Sequence, residues 1–356
     1  MKSYKNLFKK LISKENIELA IHNASLGKRD RPLVKKILKN QEHYIEVFRR
    51  MATDYHNSKH KPKEIYDGVS RKKRTILVPS HYEQVMHHMV VNVLKPILMK
   101  PMYEHSHGSI PTRGAHKAKK SIEKWMCKDV KNTKYCLKMD VRKYFESIPH
   151  DILKAKLSRI IKDDRFLKVL FTIIDVQDKG LPLGFYTSQW LANFYLTALD
   201  HSIKEDLKAK YYVRYMDDMV ILGSNKRQLH RARNYINEYL NSKLGLQMKQ
   251  NWQVFRIEYK NKGRPLDFMG FKFYRNRVTL RRIIMLKASR KARRLTKKIK
   301  PTIYECRQML SYVGWLSATN TYGFYFKWIK PYINIQKLKR RISNYDRRSK
   351  LLCGTQ

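Results

Sequence analysis

The sequence predicts an α+β protein of two or three subdomains, and three observations carry the prediction. Short apolar runs of strand length, residues 135–142, Tyr211–Tyr215 and Met219–Leu222, are set off by turn signals. Between them lie longer stretches with apolar residues at helical spacing, the clearest being Val85–Met99. From about Leu286 the chain becomes Lys/Arg-dense and helical, and the composition shift near residue 280 marks the best domain boundary. At 356 residues the chain is long enough to bury a substantial core.

In order along the chain, residues 1–60 read as helices with basic outer faces. A loop, Asp67–Arg74, runs into a strand, Thr75–Val78, stopped by Pro79. The apolar helix follows, with Val85, Met89, Val90, Val93, Leu94, Ile97 and Leu98 on its core side; His87 and His88 read as helix-face residues, not metal ligands. Ser106–Gly114 is a Gly/Ser-rich loop. The strand at 135–142 carries Asp140 at its end. One helical stretch runs from Pro149 to about Asp175, and a turn, Lys179–Gly184, leads into another, Ser188–Leu207. Two apolar strands then flank Met216-Asp217-Asp218. A helix at Gln228–Lys243 precedes a strand pair, Trp252–Ile257 and Phe268–Tyr274, and the basic C-terminal helices hold an aromatic cluster including Tyr312, Trp315, Tyr322, Phe326 and Trp328. The i, i+3 spacing of Tyr312 and Trp315 points to helix core more than to stacking platforms.

Charge is the strongest compositional signal: Lys+Arg 77 against Asp+Glu 29, net +48. A polyanionic partner relieves such self-repulsion, which points to nucleic acid, although ribosomal and chromatin proteins are equally basic. An anionic membrane is the weaker alternative, because no basic amphipathic stretch stands apart. No apolar run approaches the roughly 18 residues of a membrane span. The start lacks a signal peptide's apolar region, and the four cysteines show no metal or disulfide spacing, so a reducing cytoplasm is the expectation.

Against that background Asp217-Asp218 is anomalous. Two adjacent carboxylates lie between apolar strands, where repulsion and desolvation both disfavour them. A hairpin turn is one explanation, but turn acids usually come with Gly or Asn. A divalent cation offsetting the repulsion is the other, and Asp140 at the end of its own strand supports it. Strand ends side by side in one sheet could bring three carboxylates to one point, suited to Mg²⁺ and to two-metal phosphoryl transfer. Glu146, Asp151, Asp163, Asp164, Asp175 and Asp178 have no such setting and read as surface charges.

These residues resemble motifs of the reverse transcriptases. Tyr215-Met216-Asp217-Asp218 resembles their YxDD box, and Lys138-Met-Asp140-Val-Arg-Lys-Tyr-Phe145 their first aspartate motif. Between them Leu181-Pro-Leu-Gly-Phe-Tyr-Thr-Ser188-Gln189 resembles the template-positioning motif. Leu266-Asp-Phe-Met-Gly-Phe271 resembles the primer grip, and Arg74-Thr-Ile-Leu-Val-Pro79 the fingers motif that holds the triphosphate. The resemblance covers residues 74–271 and implies a right-hand polymerase with fingers, an antiparallel-sheet palm and an α-helical thumb. On this reading residues 1–60 are an N-terminal helical extension, 61–280 fingers and palm, and 281–356 the basic thumb. Leu183, the Ser188-Gln189 pair, Arg113-Gly-Ala-His-Lys-Ala118 and Asn251-Trp-Gln-Val-Phe255 resemble the enzymes of diversity-generating retroelements, relatives of group II intron reverse transcriptases. Leu280 after Val278-Thr279 departs from the retron pattern.

The resemblance implies that Asp140, Asp217 and the backbone carbonyl of Val141 hold two Mg²⁺ ions, with Mn²⁺ as a substitute and Asp218 a weaker ligand. Arg74, Phe145, Leu183, Gly184, Ser188 and Gln189 would line the nucleotide and template, Phe145 either as the gate against a ribose 2′-hydroxyl or as a core aromatic. Gly184 would let backbone approach the template or nucleotide, and Ser188 and Gln189 would cap a helix, touch the template, or both. Arg71, Lys72 and Lys73 would add potential or form a solvated turn, and Met269 and Gly270 would grip the primer. Implied partners are a template RNA, the cDNA product and a small basic oligomeric accessory protein, in a bacterial cytoplasm. The lysine often found after the YxDD helix aligns best with Asn251, with Lys249 nearby, so the proton donor to pyrophosphate is unassigned. Two alternatives stand beside this reading: an antiphage-defence or abortive-infection reverse transcriptase, and a basic RNA-binding protein with an inactive polymerase fold.

Overall fold

The computed structural model describes residues 3–66 and 73–352, with side chains to residue 347. The chain divides into two compact units. One comprises the chain up to Ala118 together with Cys136–Val254; the other comprises Lys119–Tyr135 and the chain from Phe255 onward.

In the first unit, helices α1 (Leu7–Leu11), α2 (Lys14–Ser25), α3 (Pro32–Lys39) and α4 (Gln41–Thr53) precede an antiparallel pair, β1 (Pro62–Tyr66) and β2 (Lys73–Leu77). Arg71 and Lys72 lie outside the described residues. Helix α5 (His81–Met99) is the central core helix, packed against α2 and against α10 (Tyr186–Tyr195). Its start is set by a capping box: Ser80 Oγ accepts from the Glu83 N–H at 3.3 Å, and the Glu83 carboxylate accepts from the Ser80 N–H at 2.8 Å. All seven apolar residues expected on its core side are buried, each contributing about 1.5–3 kcal/mol. His87 is buried as well, against the Phe185 ring at 4.5 Å, and His88 stacks on Tyr186 at 4.3 Å.

The main sheet has the order β4-β5-β3-β6, from β3 (Tyr135–Asp140), β4 (Tyr211–Tyr215), β5 (Asp218–Gly223) and β6 (Gln253–Arg256). Around it lie α7 (Tyr144–Ser147), α8 (His150–Ile160), α9 (Asp164–Ile174), α10, α11 (Thr197–Glu205) and α12 (Lys226–Leu244). Each long helical stretch expected before the hairpin is two helices. The 149–175 stretch breaks at Ile161–Asp163, where Ile161 turns extended and bridges to Tyr4. Asp163 is no surface charge: one oxygen caps α9 through the Phe166 N–H at 3.1 Å, and the other accepts from the Phe8 N–H at 2.8 Å. The 188–207 stretch breaks at Leu196, between α10 and α11.

The second unit holds most of α6 (Ala115–Lys128), a three-stranded antiparallel sheet of β7 (Leu266–Phe268), β8 (Phe271–Phe273) and β9 (Val278–Leu280), and helices α13 (Arg282–Thr296), α14 (Ile303–Ser317), α15 (Tyr322–Trp328) and α16 (Ile335–Leu352). The expected pairing of Trp252–Ile257 with Phe268–Tyr274 is not made. β6 joins the β3 edge, while the 268–274 segment folds on itself around Met269-Gly270. The aromatic cluster is not a buried helical core either. Tyr322 is 72% exposed and α15 buries no residue, whereas Trp315 stacks on Phe271 of β8 at 4.9 Å. Cys306, Met309 and Leu316 are the buried residues of α14. Among the described residues, no helix is long and apolar enough to cross a membrane.

Candidate active site

Strand β3 ends at Asp140, and its neighbour β5 is joined to β4 by a hairpin whose end carries Asp217. Tyr215 pairs with Asp218, so the connection is the two-residue loop Met216-Asp217 and Asp218 is the first residue of β5. The arrangement brings Asp140 and Asp217 into electrostatic contact. Burial and the Asp140 charge push the Asp217 carboxyl up to about 7. The Lys249 ammonium donates to Asp140 Oδ2, and the Lys249 N–H donates to the Asp140 carbonyl at 2.8 Å. Val141, fully buried, bridges to Met248 and keeps that segment in place. Asn251, by contrast, lines a cavity of about 710 Å³ with Arg142, Arg233, Lys249 and Trp252, and it is Lys249 that reaches the aspartate.

The donor set fits a divalent cation. Asp140 Oδ1 is buried with no hydrogen-bond partner, and burial together with the Asp140 charge raises the Asp217 carboxyl beside it. Lys249 supplies one positive charge at this point. Among the described residues no group of three or more His, Cys, Asp or Glu side chains is placed to hold a metal. The carboxylates in electrostatic contact are Asp140 and Asp217, and Asp218 follows directly as the first residue of β5.

The hairpin loop is conformationally demanding. Met216 has φ 56° without being glycine or asparagine, a backbone state that costs about 1–3 kcal/mol unless the surroundings impose it. The surroundings do so from three sides. Arg214 Nη1 donates to the Met216 carbonyl at 3.0 Å. Asn193 Nδ2 donates to the Gly108 carbonyl at 2.8 Å and lies 3.3 Å from Met216 Sδ. Gly108 lies so close that a Cβ there would be 2.4 Å from Met216 Cγ. Arg214 is fully buried and doubly bonded to Asp200, at 2.8 and 2.6 Å, with Tyr212 donating to the same carboxylate at 2.7 Å. Although burial works against it, Asp200 holds the Arg214 guanidinium more firmly protonated than usual. None of Arg214, Asp200, Asn193 and Gly108 was among the expected site residues. The available signal was Arg214, a lone charge inside the apolar strand Tyr211–Tyr215.

The expected nucleotide-side residues fall around one loop. The Leu183 carbonyl accepts from the Leu77 N–H at 2.8 Å, and the Phe145 carbonyl from the Leu181 N–H at 2.6 Å, so the 181–184 loop is pinned between β2 and the start of α7. Gly184 has φ 112°, and a Cβ there would lie 2.2 Å from the Leu77 carbonyl oxygen. The close approach it permits is to the chain's own strand. Leu183 and Phe145 are half-buried; Gln189 and Arg74 are exposed, the latter on β2. Ser188 caps nothing: the α10 N-cap is Phe185, and Ser188 Oγ is buried without a hydrogen-bond partner. Lys73 pairs with Glu64 at 2.6 Å. Met269 and Gly270, both at positive φ, form the β7–β8 turn of the second unit.

A paired-strand site with two aspartates at adjoining strand ends, one on a tight hairpin, is an arrangement suited to metal-dependent nucleotidyl transfer. Comparison with known proteins agrees. The family model for reverse transcriptase (RNA-dependent DNA polymerase) matches residues 59–273, and the chain belongs to this family. The retron Ec73 reverse transcriptase of Escherichia coli is 26% identical over 174 residues, covering 44% of this chain and 52% of that protein. The group II intron-encoded protein LtrA of Lactococcus lactis is 27% identical over 192 residues, covering 50% and 29%. The chain thus spans about half or less of these two relatives. In fold it is similar to a Candida tropicalis telomerase solved with a fragment of telomeric RNA, with TM-score 0.51, 12% identity, and coverage of 88% of this chain and 57% of that one.

Proposed function

We propose that this chain is an RNA-directed DNA polymerase, and that it copies a template-repeat RNA into adenine-mutagenised cDNA as the enzyme of a diversity-generating retroelement. The observation that carries the polymerase reading is the contact between Asp140 and Asp217, one oxygen of the pair buried without a partner. Asp140, Asp217 and the Val141 carbonyl would hold two Mg²⁺ ions, or Mn²⁺, with Asp218 beside them in β5. When bound, the ions activate the primer 3′-hydroxyl and stabilise the leaving pyrophosphate oxygen. The protein's own groups orient the rest. Arg74 draws the triphosphate, Phe145 stands against a 2′-hydroxyl, and the pinned loop with Leu183 and Gly184, followed by the α10 start with Ser188 and Gln189, faces the template and nucleotide. Met269-Gly270 grips the primer. Lys249, already at Asp140, is placed to deliver a proton to pyrophosphate in preference to Asn251. Residues 1–60 serve as a helical extension, 61–280 as fingers and palm, and 281–356 as a thumb holding duplex by its backbone. A small basic accessory protein and a bacterial cytoplasm complete the reading.

The retroelement reading rests on Leu183 and Ser188-Gln189. Leucine at 183 offers apolar contact where a glutamine would hydrogen-bond, so discrimination leans more on base pairing. Primer extension on a defined RNA template, with sequencing of products, tests both parts. Asp140→Ala or Asp217→Ala should abolish synthesis while filter-bound RNA affinity stays within about twofold, because the bulk charge holds RNA. Wild type should misincorporate chiefly opposite adenine, and Leu183→Gln should narrow that bias. Near-normal synthesis by Asp217→Ala removes the site, and equal error opposite all four bases removes the retroelement.

A further inference from the structure

The hairpin that carries Asp217 is held by a buried charge pair. Arg214 and Asp200 are both fully buried, and their side chains make two hydrogen bonds to one another. A buried ion pair is weak evidence for stability, since apolar residues of the same volume often replace it without loss. What distinguishes this pair is where the guanidinium spends its remaining donors. Nη1 reaches the Met216 carbonyl at 3.0 Å and Asn193 Oδ1 at 3.2 Å, and Nη2 reaches the Asn193 carbonyl at 3.3 Å. Asn193 in turn donates to Gly108 at 2.8 Å and to the Gln189 carbonyl at 3.1 Å. A single planar cation therefore joins the strained residue before Asp217, the α10 segment that follows the 181–184 loop, and, through Asn193, the 105–108 segment. That segment is itself laid along β4, with the His107 N–H on the Arg214 carbonyl at 2.9 Å and the Arg214 N–H on the His105 carbonyl at 3.0 Å.

We propose that Arg214, oriented by Asp200 and Asn193, is a positioning residue for the metal site: it fixes the Met216 peptide and through it the direction of the Asp217 carboxylate. The Asp200 carboxylate is taken up by Arg214 and Tyr212, and Arg214 touches no solvent. Released from Arg214, Met216 is free to leave its positive φ. Asp217 then swings away from Asp140, and the pair loses its joint hold on a cation. Lysine cannot replace the arginine, because its single ammonium cannot bond Asp200, Asn193 and Met216 in one plane. The inference rests on the two-metal reading of Asp140 and Asp217.

Mn²⁺ binding to the full chain without nucleic acid, followed by electron paramagnetic resonance, tests it independently of activity. Asp217→Asn should abolish the tight site. Arg214→Lys should weaken it about tenfold or more, as loss of a group that orients a metal ligand does, with thermal unfolding still cooperative and RNA affinity unchanged. Ile203→Val, a core truncation in α11 outside this network, should lower the melting temperature and leave Mn²⁺ affinity as in wild type. Asn193→Ala carries the same measurement if Arg214→Lys does not fold, and should also weaken Mn²⁺. Tight Mn²⁺ binding unaffected by Asp217→Asn would remove the metal reading and this one with it. Binding lost in Asp217→Asn but intact in Arg214→Lys, or weakened equally in Ile203→Val, would overturn the positioning role alone.

Discussion

Phe145 and its neighbour Tyr144 divide two tasks between adjacent rings. Tyr144 is buried and its hydroxyl donates to the Ala192 carbonyl at 2.5 Å, which anchors the start of α7. Phe145 is only half-buried, and its carbonyl is taken by Leu181. Its ring is therefore not needed to fill the core, which leaves it available as the gate against ribose. Phe145→Ala should raise ribonucleotide incorporation in primer extension, with stability falling by about 1–2 kcal/mol, less than the 3–5 typical of a fully buried Phe. Unchanged sugar selectivity with a larger loss would return Phe145 to the core. At this scale Asp140 and Asp217, the proposed metal ligands, stand out in the sequence because acids inside apolar runs are costly and conspicuous. Ser188 misled, because a serine at a helix start reads as a cap, whereas the helix begins one turn earlier, at Phe185.

Helix α5 illustrates the element scale, since its stability depends on a carboxylate. Glu83 is buried, which by itself would raise its pKa, but donation from the Ser58 and Ser80 backbone holds the carboxyl at about 2. Ser58 donates at 3.0 Å, and His60 Nε2 lies 2.9 Å from the same oxygen. A carboxylate whose folded value lies below its unfolded 4.5 adds stability above that value, and the stability is lost as pH falls from about 4.5 through about 2. Chemical unfolding of wild type should therefore show stability falling over that window. Glu83→Gln should flatten the fall and cost on the order of 2 kcal/mol at neutral pH. An unchanged acid profile in Glu83→Gln would mean that other carboxylates carry it. The capping box itself, Ser80 with Glu83 three residues on, is readable from sequence; the third donor, Ser58, comes from a segment that only the fold brings there.

For the whole molecule the governing quantity is net charge, +48. Many of the cations lie on exposed helix faces, such as those of α12, α13 and α16, so RNA affinity should follow counterion release. A filter-binding series is expected to lose about 10³-fold or more in affinity between 50 and 200 mM salt, linear on a log–log plot. A flat plot would mean that the charge is not used on RNA. The same sequence dependence should be absent, since contacts to phosphates carry no base information.

Order along the chain was determined by the sequence alone: strand ends bearing Asp140 and Asp217, a glycine turn between them, an apolar helix before them and a basic helical end. Each of these is a local property of residue type and spacing. The tertiary structure decided which distant groups meet. Lys249 finds Asp140 across 109 positions, Asp163 between two helices accepts from the distant Phe8 N–H, and Gly184 is glycine because β2 passes over it. Arg214 and Asp200, which nothing in the sequence reading singled out, prove to be one buried pair at the Asp217 hairpin. Hydrogen-bond and charge complementarity between segments far apart in the chain leaves no periodicity to read, so it becomes visible only when the chain has folded.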